Sequence, residues 1–257
     1  MTLNRLTMAF TFMICGMALY GGGQPYDATN ILTKVQRKIL SARTLRVKMR
    51  EEVKGCKLET RLISKQLTKD VLSFRQEVHA VDPGKVVQPF IQVMNKNKLY
   101  NFPTGCGNVV VRMQFLEEKT TTLVARLFLS NGRAKLLKDG NKTCSIRYTC
   151  TPDEVAESFK VMQEKFGKAI TRDMVPAVWE YLIDKENMLL MEMILYSDKG
   201  RLVKRQTFHD WKIDGPVADS NFDLPPKYRV YTAKTLQDAE RIQSELVRKA
   251  MSMRKGK

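Results

Sequence analysis

Between residues 44 and 80 the chain alternates. Leu45, Val47 and Met49 take one parity, Arg46, Lys48 and Arg50 the other. Leu58, Thr60 and Leu62 alternate with Lys57, Glu59 and Arg61. Leu72, Phe74 and Val78 share a parity with polar Gln76, opposite Ser73, Arg75 and Glu77. Further on, Val109, Val111, Met113 and Phe115 alternate with Val110, Arg112, Gln114 and Leu116. A period of two with one apolar side predicts antiparallel strands, one face buried and the other wet. Asp82-Pro-Gly84, Pro103-Thr-Gly105 and Lys138-Asp-Gly-Asn141 carry turn chemistry. A last sheet section is predicted over Trp179 to Ile213, turning at Asp198-Lys-Gly200.

Three stretches have a helical period instead. Ile31, Val35 and Ile39 recur every fourth residue over Asn30 to Leu40, behind the capping residues Asp27 and Thr29. Thr151-Pro-Asp-Glu154 has the order of a capping box with proline at the first helical position. Val155, Phe159, Met162 and Phe166 follow as one stripe, and Gly167 ends it. Ala233 to Met253 predicts a C-terminal helix with Leu236, Ala239, Ile242, Leu246, Ala250 and Met253 on its apolar side. Thr120 to Ser130 fits both a strand and a helix.

The N-terminus changes the setting. Arg5 is the one charge before Leu6 to Tyr20, an uncharged apolar run followed by Gly21, Gly22 and Gly23. That is the order of a secretory signal cleaved near residue 23. The run is short beside the roughly 20 residues of a membrane span. A periplasmic location is expected. Cys56, Cys106, Cys144 and Cys150 are then an even count in an exported chain, which predicts two disulfides of open connectivity. Cys144 and Cys150 would lie about 20 Å apart in one extended strand, so a bond between them needs a bend.

The net charge is +17, which favours anionic partners such as lipid headgroups. Nucleic acid is not expected, because the basic residues are spread over alternating positions with no finger, Gly-rich loop or aromatic-studded basic block. His79 and His209 are the only histidines and no C-x₂-C pair exists, so no metal is expected. No cofactor motif, serine elbow or Cys-His pair appears, and no catalytic residue is assigned.

An α+β fold follows: a strongly curved antiparallel β-sheet, a half-barrel, with helices covering the concave face. On three stretches the chain resembles the outer-membrane lipoprotein carrier and lipoprotein-sorting family, the LolA-like proteins. Ile31 to Val53, with Ile39-Leu-Ser-Ala-Arg-Thr-Leu45 at its middle, is similar to that family's first helix and strand. Residues Pro89 to Pro103 are similar to its aromatic hairpin. Tyr196 to Gly200, Asp210-Trp-Lys-Ile-Asp-Gly215 and Phe222-Asp-Leu-Pro-Pro226 are similar to its final hairpin and lip. The family's strand-end arginine beside proline has no counterpart here, where Leu67-Thr-Lys-Asp70 stands.

The resemblance implies a monomeric periplasmic carrier that holds lipoprotein acyl chains, or a similar lipid, and moves them toward the outer membrane. It implies an inner-membrane release complex and an outer-membrane acceptor as partners. The alternative is an envelope-stress sensor of the same fold that binds a membrane protein. The expected division is a signal over residues 1–23, a lipid-binding half-barrel over 27–230 and a basic C-terminal helix over 231–257. The expected hydrophobic cavity is lined by Leu45, Val47, Met49, Leu62, Leu72, Phe74, Val111, Met113 and Phe115. The same positions also fit a plain core under helices.

Overall fold

The computed structural model describes residues 27–53, 56–68, 71–81, 90–103, 108–115, 117, 133–166, 170–224 and 227–255. The expected signal over residues 1–23, Cys106, the turns expected beyond Val81 and Pro103, the stretch from Thr120 to Ser130 and Gly167 lie outside them.

The first helix, α1 (Ala28–Ser41), starts where Asp27 Oδ1 accepts from the Thr29 amide at 3.4 Å. Six strands follow: β1 (Thr44–Val53), β2 (Cys56–Thr68), β3 (Val71–Ala80), β4 (Phe90–Asn95), β5 (Lys98–Pro103) and β6 (Val109–Met113). β4 and β5 are joined by Lys96 and Asn97, at φ 47° and 66°. Two positive φ values in a two-residue loop match the right-handed twist of the flanking strands. Phe115, expected inside the strand, lies just past β6 and still packs on the core.

The second half contains β7 (Arg133–Asp139), β8 (Thr143–Thr149), helix α2 (Pro152–Phe166), β9 (Val178–Asp184), β10 (Leu189–Tyr196) and β11 (Leu202–Ile213). β12 (Arg229–Ala233) and helix α3 (Leu236–Lys255) complete the chain. α2 opens on the expected capping box: Glu154 accepts from the Thr151 amide at 2.7 Å and the Glu154 amide donates to Thr151 Oγ1 at 3.2 Å.

These twelve strands form one open sheet in the order β12-β6-β5-β4-β3-β2-β1-β11-β10-β9-β8-β7. It is two meanders, β1 to β6 and β7 to β11, joined where β1 pairs antiparallel with β11. Among the described residues only β12 on β6 is parallel. That parallel pair requires a crossover. The segment Asp214–Phe222 supplies it by running over the outer face, where Val217 and Phe222 bury against Val93, Ile63, Ile91 and Phe102. Lys65 pairs with Asp219 at 2.6 Å, Thr44 Oγ1 donates to the Gly215 carbonyl at 2.6 Å and Asn95 Nδ2 to the Phe222 carbonyl at 3.1 Å. Phe222, expected in the lip, is thus an anchor on the outside of the sheet.

The inner face is covered. α1 packs mainly on β7 and β10, α3 mainly on β12 and β6. Ile31, Leu32 and Val35 of α1 and Ala239, Ile242 and Leu246 of α3 join the inward strand residues in one core. α3 is therefore integral to the fold, with Ala239, Ile242 and Leu246 of its apolar stripe in the core under the sheet. α2 instead makes a satellite core, Val155 and Met162 against Ile170, Val175 and Ala177. So the α+β sheet expected from the pattern is present, with α1 and α3 on its inner face.

Candidate functional site

Directly opposed residues share a face of a sheet, so register fixes what points inward. Met49 stands opposite Thr60 and Thr60 opposite Val78; Val47 opposes Leu62 and Leu62 opposes Gln76. Gln76 opposes Gln92, which opposes Asn101, which opposes Val111. On the other side Met49 opposes Phe208 and Glu51 opposes Gln206. The expected cavity residues Leu45, Val47, Met49, Leu62, Phe74, Val111 and Met113 are all buried in the one inward core, and Phe115 packs at its margin. Leu72 belongs to β3, and its side chain lies outside those described.

A polar track crosses this apolar face. Asn101, Gln92, Gln76, Thr60, Glu51 and then Lys204 with Gln206 succeed one another over six adjacent strands, β5-β4-β3-β2-β1-β11, all buried. Gln92 Nε2 donates to Asn101 Oδ1 at 2.7 Å. Lys204 Nζ lies 2.9 Å from Glu51 Oε2, with side chains 0% and 4% exposed. Thr60 Oγ1 donates to Glu51 Oε1 at 3.1 Å. The ion pair spans the junction of the two meanders. Gln76 Nε2 and Gln206 Oε1 are buried with no hydrogen-bond partner. On α1, Gln36 Nε2 is in the same condition.

Only Gln76 and Thr60 stood out in the sequence as polar residues on the inward parity. Glu51 shares the parity of Leu45, Val47 and Met49, so the signal for it was present. Lys204 and Gln206 could not be placed, because β11 shifts register. Asp210 sits there at φ 56° in a bulge, and its carboxylate pairs outward with Lys48 at 2.7 Å. The hydrogen bond and charge of Lys48 hold the Asp210 carboxyl below its usual range. After the bulge Trp211 turns inward, stacking on Phe208 at 5.8 Å and donating to the Leu190 carbonyl at 2.8 Å.

At the end of β6, Arg112 grips Glu117 through two hydrogen bonds of 2.8 Å, and Glu117 also accepts from the Leu99 amide at 3.1 Å. Burial raises the Glu117 carboxyl, but the bonds from Arg112 and Leu99 outweigh it and hold it low.

Cys144 and Cys150 are free thiols here, against the expectation of two bridges. They lie at opposite ends of β8 with the same parity, about 20 Å apart. Cys56 is on β2, five strand spacings from β8, or about 24 Å along the sheet. A disulfide needs Cα atoms within about 7 Å. Burial, with the Glu154 charge adding, pushes the Cys150 thiol up to about 11. Among the described residues no group of His, Cys, Asp or Glu has the spacing to hold a metal, and no helix is long and apolar enough to cross a membrane.

No family model and no curated protein matches the chain. Solved structures do. An uncharacterized conserved protein from Thermus thermophilus is 11% identical over 80% of this chain and 99% of that one, at TM-score 0.48. MucB in the Pseudomonas aeruginosa MucA/MucB complex is 11% identical over 81% of this chain and 64% of its own length, at 0.46. A LolA superfamily protein from Nitrosomonas europaea is 14% identical over 77% and 98%, at 0.31. The identities and scores are too low to carry a function across.

Proposed function

We propose that the chain is a carrier that shields acyl chains against the inner face of its sheet and delivers them toward the outer membrane. One observation supports this above others: a single apolar face runs across an open sheet, and the helices that cover it pack mainly at its flanks. Displacing α1 would leave every strand pairing of the sheet in place. Each CH₂ taken from water contributes about 0.8 kcal/mol, so part of one acyl chain suffices for binding. The expected cavity residues, from Leu45 through Phe115, are the surface that the chain would meet. Reversible burial needs no covalent step, and no catalytic role is proposed for any residue.

Export to the periplasm, an inner-membrane release complex, an outer-membrane acceptor and an anionic membrane surface belong to the same proposal. A second reading, a sensor that binds a membrane protein, is favoured by β7. This strand has β8 as its one neighbour among the described residues, and Leu137 on it is 45% exposed. A free edge accepts an added strand.

Native mass spectrometry of protein purified without detergent tests the carrier. Masses of bound lipid support it. Lipid-free protein that also fails to bind a hydrophobic fluorophore refutes it, and a stable complex with an envelope-protein segment then supports the sensor.

A further inference from the structure

On the outer face of the second meander, Arg147 of β8 is met by Glu180 of β9 and Arg205 of β11 by Glu192 of β10. The edge strand β7 lacks that balance. Its Arg133, Lys135 and Lys138 are exposed and have no ion-pair partner among the described residues, and its one acid, Asp139, is committed to Lys185 at 2.8 Å. The three cations share a face, because their partners on β8, Thr149, Arg147 and Ser145, have one parity. Lys135 stands opposite Arg147, and Arg147 opposite Glu180. From the edge inward the row is positive, positive, negative. Like charges directly opposite each other destabilise a sheet and unlike charges stabilise it. The open side of Lys135 is therefore where a negative side chain completes the row. Leu137, at the register shift between Leu136 and Lys138, adds an exposed apolar contact beside it.

We propose that β7 binds an extended acidic segment of a partner protein, added to the sheet as a strand outside it. Backbone groups along the free edge hold the segment, and carboxylates at alternate positions meet Arg133 and Lys135, with a third near Lys138 past the bulge. The seven residues of β7 span about 23 Å, which a segment of similar length covers. The charges that attract such a segment repel the β7 of a second copy, so the edge admits an acidic strand and refuses its own. An anionic membrane also attracts the cations, but it brings no line of amides to the edge, so the observations favour a peptide. This rests on the sensor reading, to which it gives a partner chemistry, and is independent of the carrier.

The test uses the full chain and two labelled heptapeptides, one alternating glutamate with valine and one alternating lysine with valine, read by fluorescence anisotropy. The wild-type protein should bind the glutamate peptide at least about tenfold more tightly than the lysine peptide. Lys135→Glu should remove that preference and Lys138→Glu should reduce it, with unfolding midpoints verifying each fold. N-methylation of one or the other alternate set of amides in the glutamate peptide should abolish its binding, because strand addition needs those N–H groups. Equal wild-type affinity for the two peptides, or an unchanged preference in Lys135→Glu, would overturn the acidic class. Binding that survives both methylations and is displaced by phosphatidylglycerol vesicles would overturn the peptide and assign the surface to an anionic membrane. Binding of neither peptide would also overturn the proposal, whereas the sensor reading itself fails only if no envelope-protein segment forms a complex with the chain.

Discussion

Lys204 and Glu51 meet at 2.9 Å on strands that are about 150 residues apart in sequence and adjacent in the sheet. Both charges are out of water, so each depends on the other. Glu51→Gln should destabilise the fold by about 3–5 kcal/mol, because it strands the ammonium. The double variant Glu51→Leu with Lys204→Met should be near neutral or stabilising. Denaturant unfolding of the singles and the double decides the matter. Additive losses would show that the pair is not coupled.

Met49→Glu places a carboxylate at a fully buried inward position. Under the carrier reading it should abolish binding of a hydrophobic fluorophore at a pH where the folded fraction remains high. Phe74→Glu should act alike. A folded variant of either kind that binds as the wild type does would take these positions out of the ligand surface.

The capping box of α2 predicts a local effect. Thr151→Ala removes the acceptor for the Glu154 amide and should cost about 1 kcal/mol. Hydrogen exchange should rise along Pro152–Phe166 and in the Ile170, Val175 and Ala177 segment packed on it. Protection that falls evenly over the whole sheet would contradict the satellite nature of this core.

Cys150 predicts a pH effect of definite sign. Below the ordinary thiol pKa of 9.0 the group is neutral in both states and adds no pH dependence. Between there and about 11 the unfolded chain ionises it while the folded chain does not, so stability falls as pH rises. Cys150→Ser should flatten that alkaline loss. Alkylation of Cys150 in the native protein near pH 8 should be far slower than in denaturant. Equal rates would show an accessible thiolate.

Helix α3 predicts a length effect. Leu246→Ala should cost about 2–5 kcal/mol, since its side chain is part of the inward core. Deleting residues 247–257 spares Ala239, Ile242 and Leu246 and should leave a cooperative unfolding transition. Deletion from residue 236 onward should abolish it.

The strands between residues 44 and 80 were legible because one face is nearly all apolar and the other nearly all charged. The caps of α1 and α2 were legible from a few local residues. The sequence pattern did not disclose the order of the strands. The pairing of β1 with β11 and the parallel addition of β12 are long-range choices that no local period encodes. The place of the segment after β11 was not legible for a related reason: Val217 and Phe222 advertise burial without saying on which face. The polar track escaped because each member is one tolerable interruption of a strand, and only the register lines them up. The cysteine expectation rested on an even count, and a count carries no geometry.

The junction of the two meanders has a consequence for a chain still on the ribosome. β1 is made early, and its partner β11 emerges roughly 150 residues later, or about 8–30 s at ordinary synthesis rates. For that interval Thr44–Val53 is an open template for any stray strand, a nascent chain of its own kind included. Arg46, Lys48 and Arg50 sit on that edge with like charge. Two such edges brought together repel, so the basic stripe acts as a gatekeeper against aggregation during synthesis.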